Sequence, residues 1–470
     1  MICGNAGAAA DMMKGKLVNG NPGSGFKGAS IDTRTMTEGN LFFCIRGDRF
    51  DGHRFIDNAI EKKAAGIVLS ENCNTPPFQA GPSGDRFPFF IKVDDTLAAL
   101  QEFAQKARKN SSVRVVAVTG TNGKSSAKEM IASVLEEKFK TLKNKGNLNN
   151  HIGLPLTLME LEDDHEIAVL EMGMSAEGEI RRLTEIAQPD IGLITNISPA
   201  HLEQLKTLKN VQKAKGELFQ ALRPKDLAIV NADDPLVIEL AENLVAKKIT
   251  IGIENPADIW ADNIRPGKNA GFHFQLHIQG KAIEVELPFL GRCNIYNALT
   301  AFAAGSALGM QAEEMKTGLR RCRLPSQRQE FFEKDGVKFI NDAYNANPQS
   351  MREAIKTLES FQTSGNKFFV MGEMLELAGL AQSEHSKIGK EIAASRIDFL
   401  VTVGEMPQLA AQSALNDGMK ADHVSAFEDV ESATSYLKEH VVAGDCVLVK
   451  GSRGARMERV IDNCFQEASN

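Results

Sequence analysis

A lysine and two serines end a short glycine-containing loop at residues 118–126, VTGTNGKSS. The apolar run VRVVA precedes this loop and the amphipathic stretch SSAKEMIASVLEEKF follows it, so a buried strand should lead into a helix. Backbone N–H groups and the dipole at a helix start favour a phosphate group. We therefore expect a nucleotide phosphate here, with Lys124 reaching the terminal phosphates and Ser125 binding Mg²⁺.

The spacing of this loop differs from the usual phosphate-binding pattern, which has four residues between its first glycine and the Gly-Lys pair. Val118 stands where that first glycine is expected. A plain glycine turn capped by Ser125 or Ser126 is the alternative interpretation. The strand before the loop and the helix after it favour phosphate.

Three further residues are candidate site residues, although each has an ordinary structural interpretation. Glu171 ends the strand-like run IAVLE, so it could hold Mg²⁺ at the carboxyl edge of a parallel sheet or simply face solvent. His201 follows the run DIGLITN, and a lone histidine is more often structural. Lys215 lies in the amphipathic stretch KAKGELF, where a solvated helix lysine is the favoured interpretation from local sequence.

The second half of the chain contains further polar clusters. Asn294 and Asn297 lie at the predicted start of a helix, where asparagine is usually a cap. Arg328 and the stretch NDAYNANP at 341–348 could contact a nucleotide or a peptide, or could be turn residues that satisfy their own backbone. The stretch VKGSRGARME at 449–458 ends a strand with basic residues and is a candidate anion site.

The stretch Gly23–Gly28, GSGFKG, fits the dinucleotide pattern G-x-G-x-x-G. That pattern requires an apolar strand before it and a long helix after it. Neither is predicted around ASIDTR, so we assign the stretch to a flexible loop. A nicotinamide-dependent dehydrogenase is therefore a poor interpretation.

The elements that must position these residues form three predicted α/β domains, at 1–112, 113–323 and 324–470, consistent with a length of 470 residues. In the first, GNLFFCIRG and AAGIVLS are strand-like, and the polar residues 108–112 suit a linker. In the second, apolar strands alternate with helices, which predicts a parallel sheet covered on both faces. Residues 271–287 alternate with period two and predict an antiparallel element with a turn at Gln279–Gly280. A doubly wound α/β series predicts the third.

Composition limits the classes of function. Hydrophobic residues make up 43% and charged residues 24%, as in soluble globular proteins. The net charge of −7 provides no basic field for nucleic acid or anionic membrane. Seven cysteines without a Cys-x-x-Cys pair argue against zinc sites and disulfides. No apolar run reaches membrane-span length and no leucine-rich signal core is present, so we expect a cytoplasmic protein without membrane insertion.

Taken in chain order, these stretches resemble the Mur ligases, a family of three-domain, ATP-dependent amide-bond ligases. The stretch at 30–60 is similar to the UDP-binding N-terminal domain of the family. From residue 113 onward the resemblance covers nearly the whole chain, through GTNGKSS, NKGNLNNHIGLP, LEMG, NISPAHLE, KAKGELF, NADDP, GRCNIYNALTA, RQE, NDAYNANP and VKGSR. Each motif alone is weak, whereas the ordered set is specific.

The resemblance implies a central ATPase-like domain, a Rossmann-like C-terminal domain, and ATP and Mg²⁺ as cofactors. The family uses a shortened phosphate loop, so Val118 is expected there. It implies Mg²⁺ binding by Ser125, Glu171 and His201, and a carbamate on Lys215 as a further metal ligand, with Lys124 on the phosphates. The implied nucleotide contacts are Gly120, Thr121, Asn122, Gly123, Lys124, Ser125, Ser126, Asn294, Asn297, Arg328 and Asp342. The implied substrate contacts are Ser30, Asp32, Thr33, Arg34, Asn147, Asn150, Tyr344, Asn345, Asn347, Lys450, Ser452 and Arg453.

Four motifs, GNLNN, AKGELF, DAYNANP and VKGSR, are most similar to family members that join D-alanyl-D-alanine to UDP-N-acetylmuramoyl-tripeptide through an acyl phosphate. The resemblance therefore implies these two substrates, peptidoglycan precursor synthesis and a monomer. The alternatives are another amino-acid-adding ligase of the family or a folylpolyglutamate synthetase. A P-loop ATPase that switches a partner is a third alternative, but a switch needs neither the first nor the third domain.

Overall fold

The computed structural model describes residues 3–47, 50–75, 88–267 and 270–465. Three large, mainly parallel sheets follow one another along the chain, and helices pack against them. This architecture confirms the predicted α/β fold class. The domain boundaries after residues 112 and 323 stay predictions.

The first sheet has five strands in the order β2-β7-β6-β5-β4, parallel except for β2. Its apolar strands are buried under helices on both sides, which explains their near-continuous hydrophobic sequence. The elements are β1 (Cys3–Asn5), α1 (Ala6–Met13), β2 (Lys16–Asn19), β3 (Gly25–Lys27), β4 (Ala29–Ser30), β5 (Leu41–Phe43), α2 (Ile56–Glu61), β6 (Gly66–Ser70), β7 (Phe89–Val93) and α3 (Thr96–Asn110).

Two local expectations for this region are wrong. The stretch Gly23–Gly28 is not wholly a flexible loop, because Gly25–Lys27 pairs with β1 as a short antiparallel strand. The predicted linker at 108–112 is helical up to Asn110. Arg108 is buried there, and its guanidinium donates to the carbonyls of Ala187 (2.8 Å) and Gln188 (3.2 Å). This polar residue therefore caps the C-terminal end of the neighbouring helix α6 (Glu179–Ala187).

The central sheet has nine strands in the order β16-β15-β14-β13-β12-β11-β8-β10-β9, of which β8 to β14 are parallel. The elements are β8 (Arg114–Thr119), α4 (Lys124–Leu135), β9 (Thr141–Lys143), α5 (Gly153–Leu158), β10 (Ile167–Glu171), α6 (Glu179–Ala187), β11 (Ile191–Ile194), α7 (Leu202–Leu205), α8 (Leu208–Gln220), β12 (Leu227–Asn231), α9 (Pro235–Ala241), β13 (Lys247–Gly252), β14 (Ile259–Pro266), β15 (Phe272–Ile278), β16 (Lys281–Leu287), α10 (Cys293–Ala307) and α11 (Ala312–Arg321).

The predicted antiparallel element is confirmed as the hairpin β15–β16, whose turn places Gln279 and Gly280 at positive φ. It extends the parallel sheet through β14. On this side, the indole of Trp260 stacks on the imidazole of His277 with ring centres 3.7 Å apart.

The third sheet has six strands in the order β17-β18-β22-β19-β20-β21, parallel except for β17. The elements are β17 (Glu330–Lys334), β18 (Val337–Asp342), α12 (Pro348–Ser360), β19 (Lys367–Met371), α13 (Ala381–Ala393), β20 (Phe399–Val403), α14 (Gln408–Asn416), β21 (Val424–Phe427), α15 (Val430–His440), β22 (Cys446–Lys450) and α16 (Glu458–Phe465). Within the described residues, no helix combines the length and apolar character that crossing a bilayer requires.

Candidate active site

A cavity of about 580 Å³ lies between the central and C-terminal domains. Its walls come from the loops that follow β8, β10 and β11 of the central sheet and β18, β19 and β22 of the third sheet. Ligands of open parallel sheets bind outside the carboxyl ends of the strands. Here the carboxyl ends of two such sheets face the same space, so one cavity can hold two reacting groups.

Two glycines allow the candidate phosphate loop to lie against its neighbours. Gly120 has φ +144°, and a Cβ there would lie 2.0 Å from Thr195 Oγ1. Gly123 has φ +81°, and a Cβ there would lie 3.2 Å from Asn297 Oδ1. Left-handed backbone and close approach both require glycine, so the pattern GTNG follows from the packing of the loop.

Two residues at the end of β11, Thr195 and Asn196, fix this loop. Thr121 N donates to Asn196 O (2.9 Å), and Asn122 N donates to Asn196 Oδ1 (3.0 Å). Thr195 Oγ1 in turn donates to Asn122 O (2.6 Å). The loop is therefore preorganised by the protein itself.

Lys124 is the first residue of helix α4, and Gly123 occupies its N-cap without any side-chain cap. The alternative interpretation, a turn capped by Ser125 or Ser126, is therefore not what the structure shows. The helix dipole places roughly half a positive charge at this end. Lys124 Nζ donates to the carbonyls of Gly120 (2.9 Å) and Thr121 (3.0 Å). Burial lowers the pKa of Lys124, and the nearby Glu171 acts in the opposite direction.

Glu171 ends β10 with its side chain only 2% exposed, so it does not face solvent as a simple strand-end acid would. Its carboxylate accepts from Ser125 Oγ (2.7 Å) and from Asn149 Nδ2 (2.8 Å). Asn144 holds the backbone of Glu171, accepting from its N–H (2.9 Å) and donating to its carbonyl (3.1 Å). The carboxylate is therefore fixed beside the hydroxyl that follows Lys124.

His201 lies at the N-cap of α7 with φ +52°. Its Nδ1 is 2.8 Å from Oε2 of Glu376, which lies in the loop after β19 and has φ +63°. The hydrogen bond from His201 lowers the pKa of Glu376 against the opposing effect of burial. This contact joins the central domain to the C-terminal domain across the cavity.

Lys215 lies on α8 and is 2% exposed, so the expectation of a solvated helix lysine is wrong. Its amine donates to Gly120 O (2.8 Å) from beneath the phosphate loop, and the residue does not line the cavity. Burial and the charge of Lys124 lower the pKa of Lys215 well below its usual value. Both effects shift the amine towards its neutral form.

The C-terminal wall contains a stacked pair of cationic and aromatic side chains. The guanidinium of Arg328 lies 3.9 Å from the ring centre of Tyr344, and that of Arg453 lies 5.8 Å from it. Arg328 Nε is buried and has no hydrogen-bond partner among the described residues. Arg328 therefore retains an unsatisfied donor next to the cavity, which a bound water or ligand could satisfy after a small rearrangement.

Lys450 ends β22 and is 2% exposed. Its amine donates to Asp342 Oδ2 (2.6 Å) and to Asn345 O (3.1 Å). Ser452 Oγ donates to Ala346 O (3.3 Å). These bonds join the loops after β18 and β22 into one polar surface.

Two asparagine pairs complete the wall. In α10, Asn297 Nδ2 donates to Asn294 Oδ1 (2.9 Å), and Asn294 Nδ2 donates to Leu290 O (2.6 Å), so neither residue is the helix cap. Asn347 Nδ2 donates to Asn122 Oδ1 (2.7 Å), which joins the cap of α12 to the phosphate loop.

The structure brings most of the predicted site residues to this cavity. Those that line it are Thr121, Asn122, Gly123, Lys124, Ser125, Ser126, Asn147, Asn150, Glu171, His201, Asn294, Asn297, Arg328, Asp342, Tyr344, Asn345, Asn347, Lys450, Ser452 and Arg453. Gly120 belongs to the loop but does not line the cavity, and Lys215 lies beneath the loop. Ser30, Asp32, Thr33 and Arg34 follow β4 in the first domain, away from the lining, with Asp32 paired to Arg34 (2.6 Å).

Several cavity residues were missed from the sequence, among them Asn149, Glu179, Gln329, Glu353 and Glu376. Asn149 belongs to the quoted motif GNLNN. Glu376 lies in the loop after β19, where the strand-end argument that selected Glu171 would have selected Glu373 instead. Its partner on another domain gave no local signal.

The donor set suits a hard cation. The carboxylate of Glu171 and the hydroxyl of Ser125 supply oxygen ligands within 2.7 Å of each other, as Mg²⁺ prefers. The residues present therefore fit the metal. Among the described residues, one group of three acidic or histidine ligand atoms lies within 4.8 Å, Glu162, Asp164 and His165. It lies elsewhere, and Lys140 pairs with two of its acids.

Comparison with known families decides the classification. The Mur ligase middle domain matches residues 118–305, the Mur ligase glutamate ligase domain matches 327–453, and the Mur ligase family catalytic domain matches 26–108. The Bacillus subtilis (strain 168) UDP-N-acetylmuramoyl-tripeptide–D-alanyl-D-alanine ligase is 36% identical over 459 residues, covering 97% of each chain. The chain belongs to the Mur ligase family.

Solved structures of Mur ligases have the same architecture. MurF from Acinetobacter baumannii is 30% identical with a TM-score of 0.88, over 99% of this chain and 100% of that one. MurF ligase from Thermotoga maritima in complex with ADP is 26% identical with a TM-score of 0.79, over 93% and 96% of the two chains. This Mur ligase therefore shares all three domains with them.

Proposed function

We propose that this Mur ligase joins D-alanyl-D-alanine to UDP-N-acetylmuramoyl-tripeptide at the expense of ATP, in peptidoglycan precursor synthesis. The names of similar proteins that cover almost the whole chain support these substrates. The observation that carries the proposal is the shared cavity. It places the phosphate loop of one sheet opposite the polar loops of another, as transfer of a phosphoryl group and then of an acyl group requires.

The chemistry proceeds in two displacements. An oxygen of the terminal carboxylate of the tripeptide attacks the γ-phosphorus of ATP, ADP leaves with the electron pair of the broken P–O bond, and an acyl phosphate forms. The amine of the dipeptide then attacks the acyl carbon, phosphate leaves, and the amine loses a proton. Activation is needed because a carboxylate is a poor electrophile, and water must be kept away from the acyl phosphate.

The residues of the chain have distinct tasks in this scheme. Lys124 exchanges its carbonyl partners for the γ-phosphate and stabilises the charge on the leaving groups. Arg328 binds the nucleotide through its orphaned N–H, with Asn294, Asn297 and Asp342 near it. Ser125, Glu171 and His201 would hold Mg²⁺, which when bound neutralises phosphate charge.

The C-terminal loops bind the incoming dipeptide. Tyr344, Asn345 and Asn347 lie beside Lys450, Ser452 and Arg453 on the wall opposite the phosphate loop. Asn147 and Asn150 contact the activated peptide. Ser30, Asp32, Thr33 and Arg34 bind the UDP part, on domain 1–112, while 113–323 binds ATP and 324–470 binds the acceptor.

Lys215 is proposed to carry a carbamate. Its buried, neutral-favouring amine is the form that attacks CO₂, forming an N–C bond and releasing a proton. The carbamate would replace the amine of Lys215 with an anionic group that could serve as a metal ligand. We also propose that the enzyme works as a cytoplasmic monomer.

The direct test measures phosphate release from ATP across a panel of UDP-muramoyl peptides and amine acceptors. We expect release only when a UDP-muramoyl tripeptide and D-alanyl-D-alanine are both present. Equal release without any acceptor would overturn the ligase assignment in favour of an ATPase switch. Preference for a dipeptide donor and a free amino acid would instead indicate another ligase of the family.

Lys124→Ala should lower turnover at least about 100-fold, because a charged donor to the transferring phosphoryl group is removed. The matched control is Lys138→Ala. Lys138 lies just after the C-terminal end of helix α4, and its Nζ donates to Gly309 O (2.8 Å). Full activity in Lys124→Ala, with unchanged activity in the control, would contradict the assignment of the ATP site.

A further inference from the structure

The loop between β19 and α13 carries Glu376 to the cavity and is fixed at several points by the C-terminal domain. His385 is fully buried in α13, and its Nε2 accepts from Met374 N (3.1 Å). Its Nδ1 faces Ala381 O (2.7 Å), so Nδ1 carries the hydrogen and the ring is neutral. A buried histidine therefore spans the base of the loop.

A second anchor joins the same loop to the strand end of β22. Leu375 N donates to Ser452 Oγ (2.9 Å), and Ser452 N donates to Glu373 O (2.8 Å). The three backbone groups held in this way lie within three residues of Glu376. The backbone that leads into Glu376 is therefore held by the C-terminal domain.

The partner of this carboxylate is His201, and the segment that precedes His201 is anchored in the central domain. Ser198 N donates to Thr121 Oγ1 (3.0 Å), and Ile197 N donates to Asp234 Oδ2 (2.8 Å). His201 and Glu376 both have left-handed backbone, at φ +52° and +63°. Such conformations persist in non-glycine residues where the surroundings impose them. Two strained residues on different domains thus meet through their side chains.

We infer that Glu376 is a positioning residue for His201: by accepting from Nδ1–H it leaves the lone pair on Nε2 of a ring that lines the cavity. Metal-bound histidines commonly donate their other ring N–H to a carboxylate, which fixes tautomer and orientation. In this chain the carboxylate comes from the other domain. The metal site is therefore completed only when the C-terminal domain is docked, and this inference rests on the proposed metal role of His201.

The first test measures binding of Mn²⁺ to the nucleotide-free protein by the electron paramagnetic resonance signal of the free ion. Glu376→Ala should weaken binding about 10-fold, the lower end of losses of this kind. Glu373→Ala is the matched control, because it removes a carboxylate from the same loop without touching His201. Thermal melting of each variant checks the fold.

A double-mutant cycle separates the inference from the proposed function. His201→Ala should weaken Mn²⁺ binding, and adding Glu376→Ala to it should have no further effect. If His201→Ala binds Mn²⁺ as tightly as the parent, the proposed metal role fails. If His201→Ala weakens binding but Glu376→Ala leaves it unchanged or tightens it, the positioning role alone is overturned.

The second test observes the ring directly in metal-free protein labelled with ¹⁵N-histidine, with His201→Gln to identify the signal. The parent should show a protonated Nδ1 and an unprotonated Nε2, and Glu376→Ala should shift the population towards the other tautomer. Glu376→Gln, whose side-chain oxygen can still accept, should retain the parent pattern. An unchanged tautomer in Glu376→Ala contradicts the inference.

Discussion

The two junctions between domains differ in polarity: one is apolar and the other is polar. The first and central domains share one hydrophobic core, in which Leu100 and Phe103 of α3 pack with Leu154 of α5 and Leu183 of α6. The central and C-terminal domains meet around the cavity mainly through polar side chains. Within the described residues, the central domain contributes to the apolar core on that side only Leu290 and the half-buried Ala270.

This difference indicates which junction can open. Separating an apolar junction exposes surface at roughly 25 cal/mol per Å², whereas hydrogen bonds at a cavity edge are exchanged for bonds to water with a small net change. The pairs Asn122–Asn347 and His201–Glu376 can therefore part at little cost. The first two domains should behave as one body, and the third as the moving part.

The largest expected effect on stability comes from a substitution in the apolar junction. Leu100→Ala removes a fully buried side chain from the shared core and should lower the free energy of unfolding by about 2–5 kcal/mol. The fluorescence of Trp260, the single tryptophan, reports urea unfolding of the central domain. The urea midpoint reported by Trp260 should fall, although the substitution lies in α3 of the first domain, because the two domains unfold together.

Leu415→Ala, at an exposed leucine of α14, serves as the control and should leave that transition within about 0.5 kcal/mol. A Trp260 signal that does not respond to Leu100→Ala would show that the two domains unfold separately.

A smaller effect concerns the polar edge of the same junction. Arg108→Met should cost about 1–3 kcal/mol, because the carbonyls of Ala187 and Gln188 lose buried donors. Lys109→Met changes the neighbouring, exposed charge and should be nearly neutral. Equal urea midpoints for the two variants would argue that water replaces the guanidinium there.

The smallest expected effect on stability comes from a substitution at the polar junction, which tests whether this junction holds the domains together. Asn347→Asp keeps the acceptor that caps α12 and that Asn122 Nδ2 reaches at 3.4 Å, but it loses the shorter bond to Asn122 Oδ1 (2.7 Å). Stability should therefore change by less than about 0.5 kcal/mol. Small-angle scattering of the ligand-free variant should nevertheless show a larger radius of gyration than the parent. Asn347→Ala loses the cap too and should cost about 1 kcal/mol. A radius equal to that of the parent for Asn347→Asp would show that this pair does not hold the domains together.

Sequence patterns predicted the features that depend on residues close together in the chain. Apolar runs predicted the parallel strands, and the strand–loop–helix context of Lys124 and the strand-end position of Glu171 led to the cavity. The alternation after residue 271 predicted the hairpin. In each case the residues that decide the structure are close together in the chain, so period and turn chemistry suffice.

The errors share a different cause. Lys215 has the sequence of a solvated lysine but is buried under the carbonyl of Gly120, 95 residues away. Arg108 was assigned to a linker because its partners on α6 are distant in sequence. The contact between His201 and Glu376 depends on how two domains are placed, which no local pattern encodes.

The outer strand of the central sheet has a consequence for behaviour at high concentration. β16 is an edge strand, and its exposed positions include Lys281, Glu284 and Glu286. At the opposite edge, β9 has only three residues. Charge on one edge and brevity on the other discourage a second copy from adding its own strand. Both features favour a nine-stranded sheet that stays dispersed in a crowded solution.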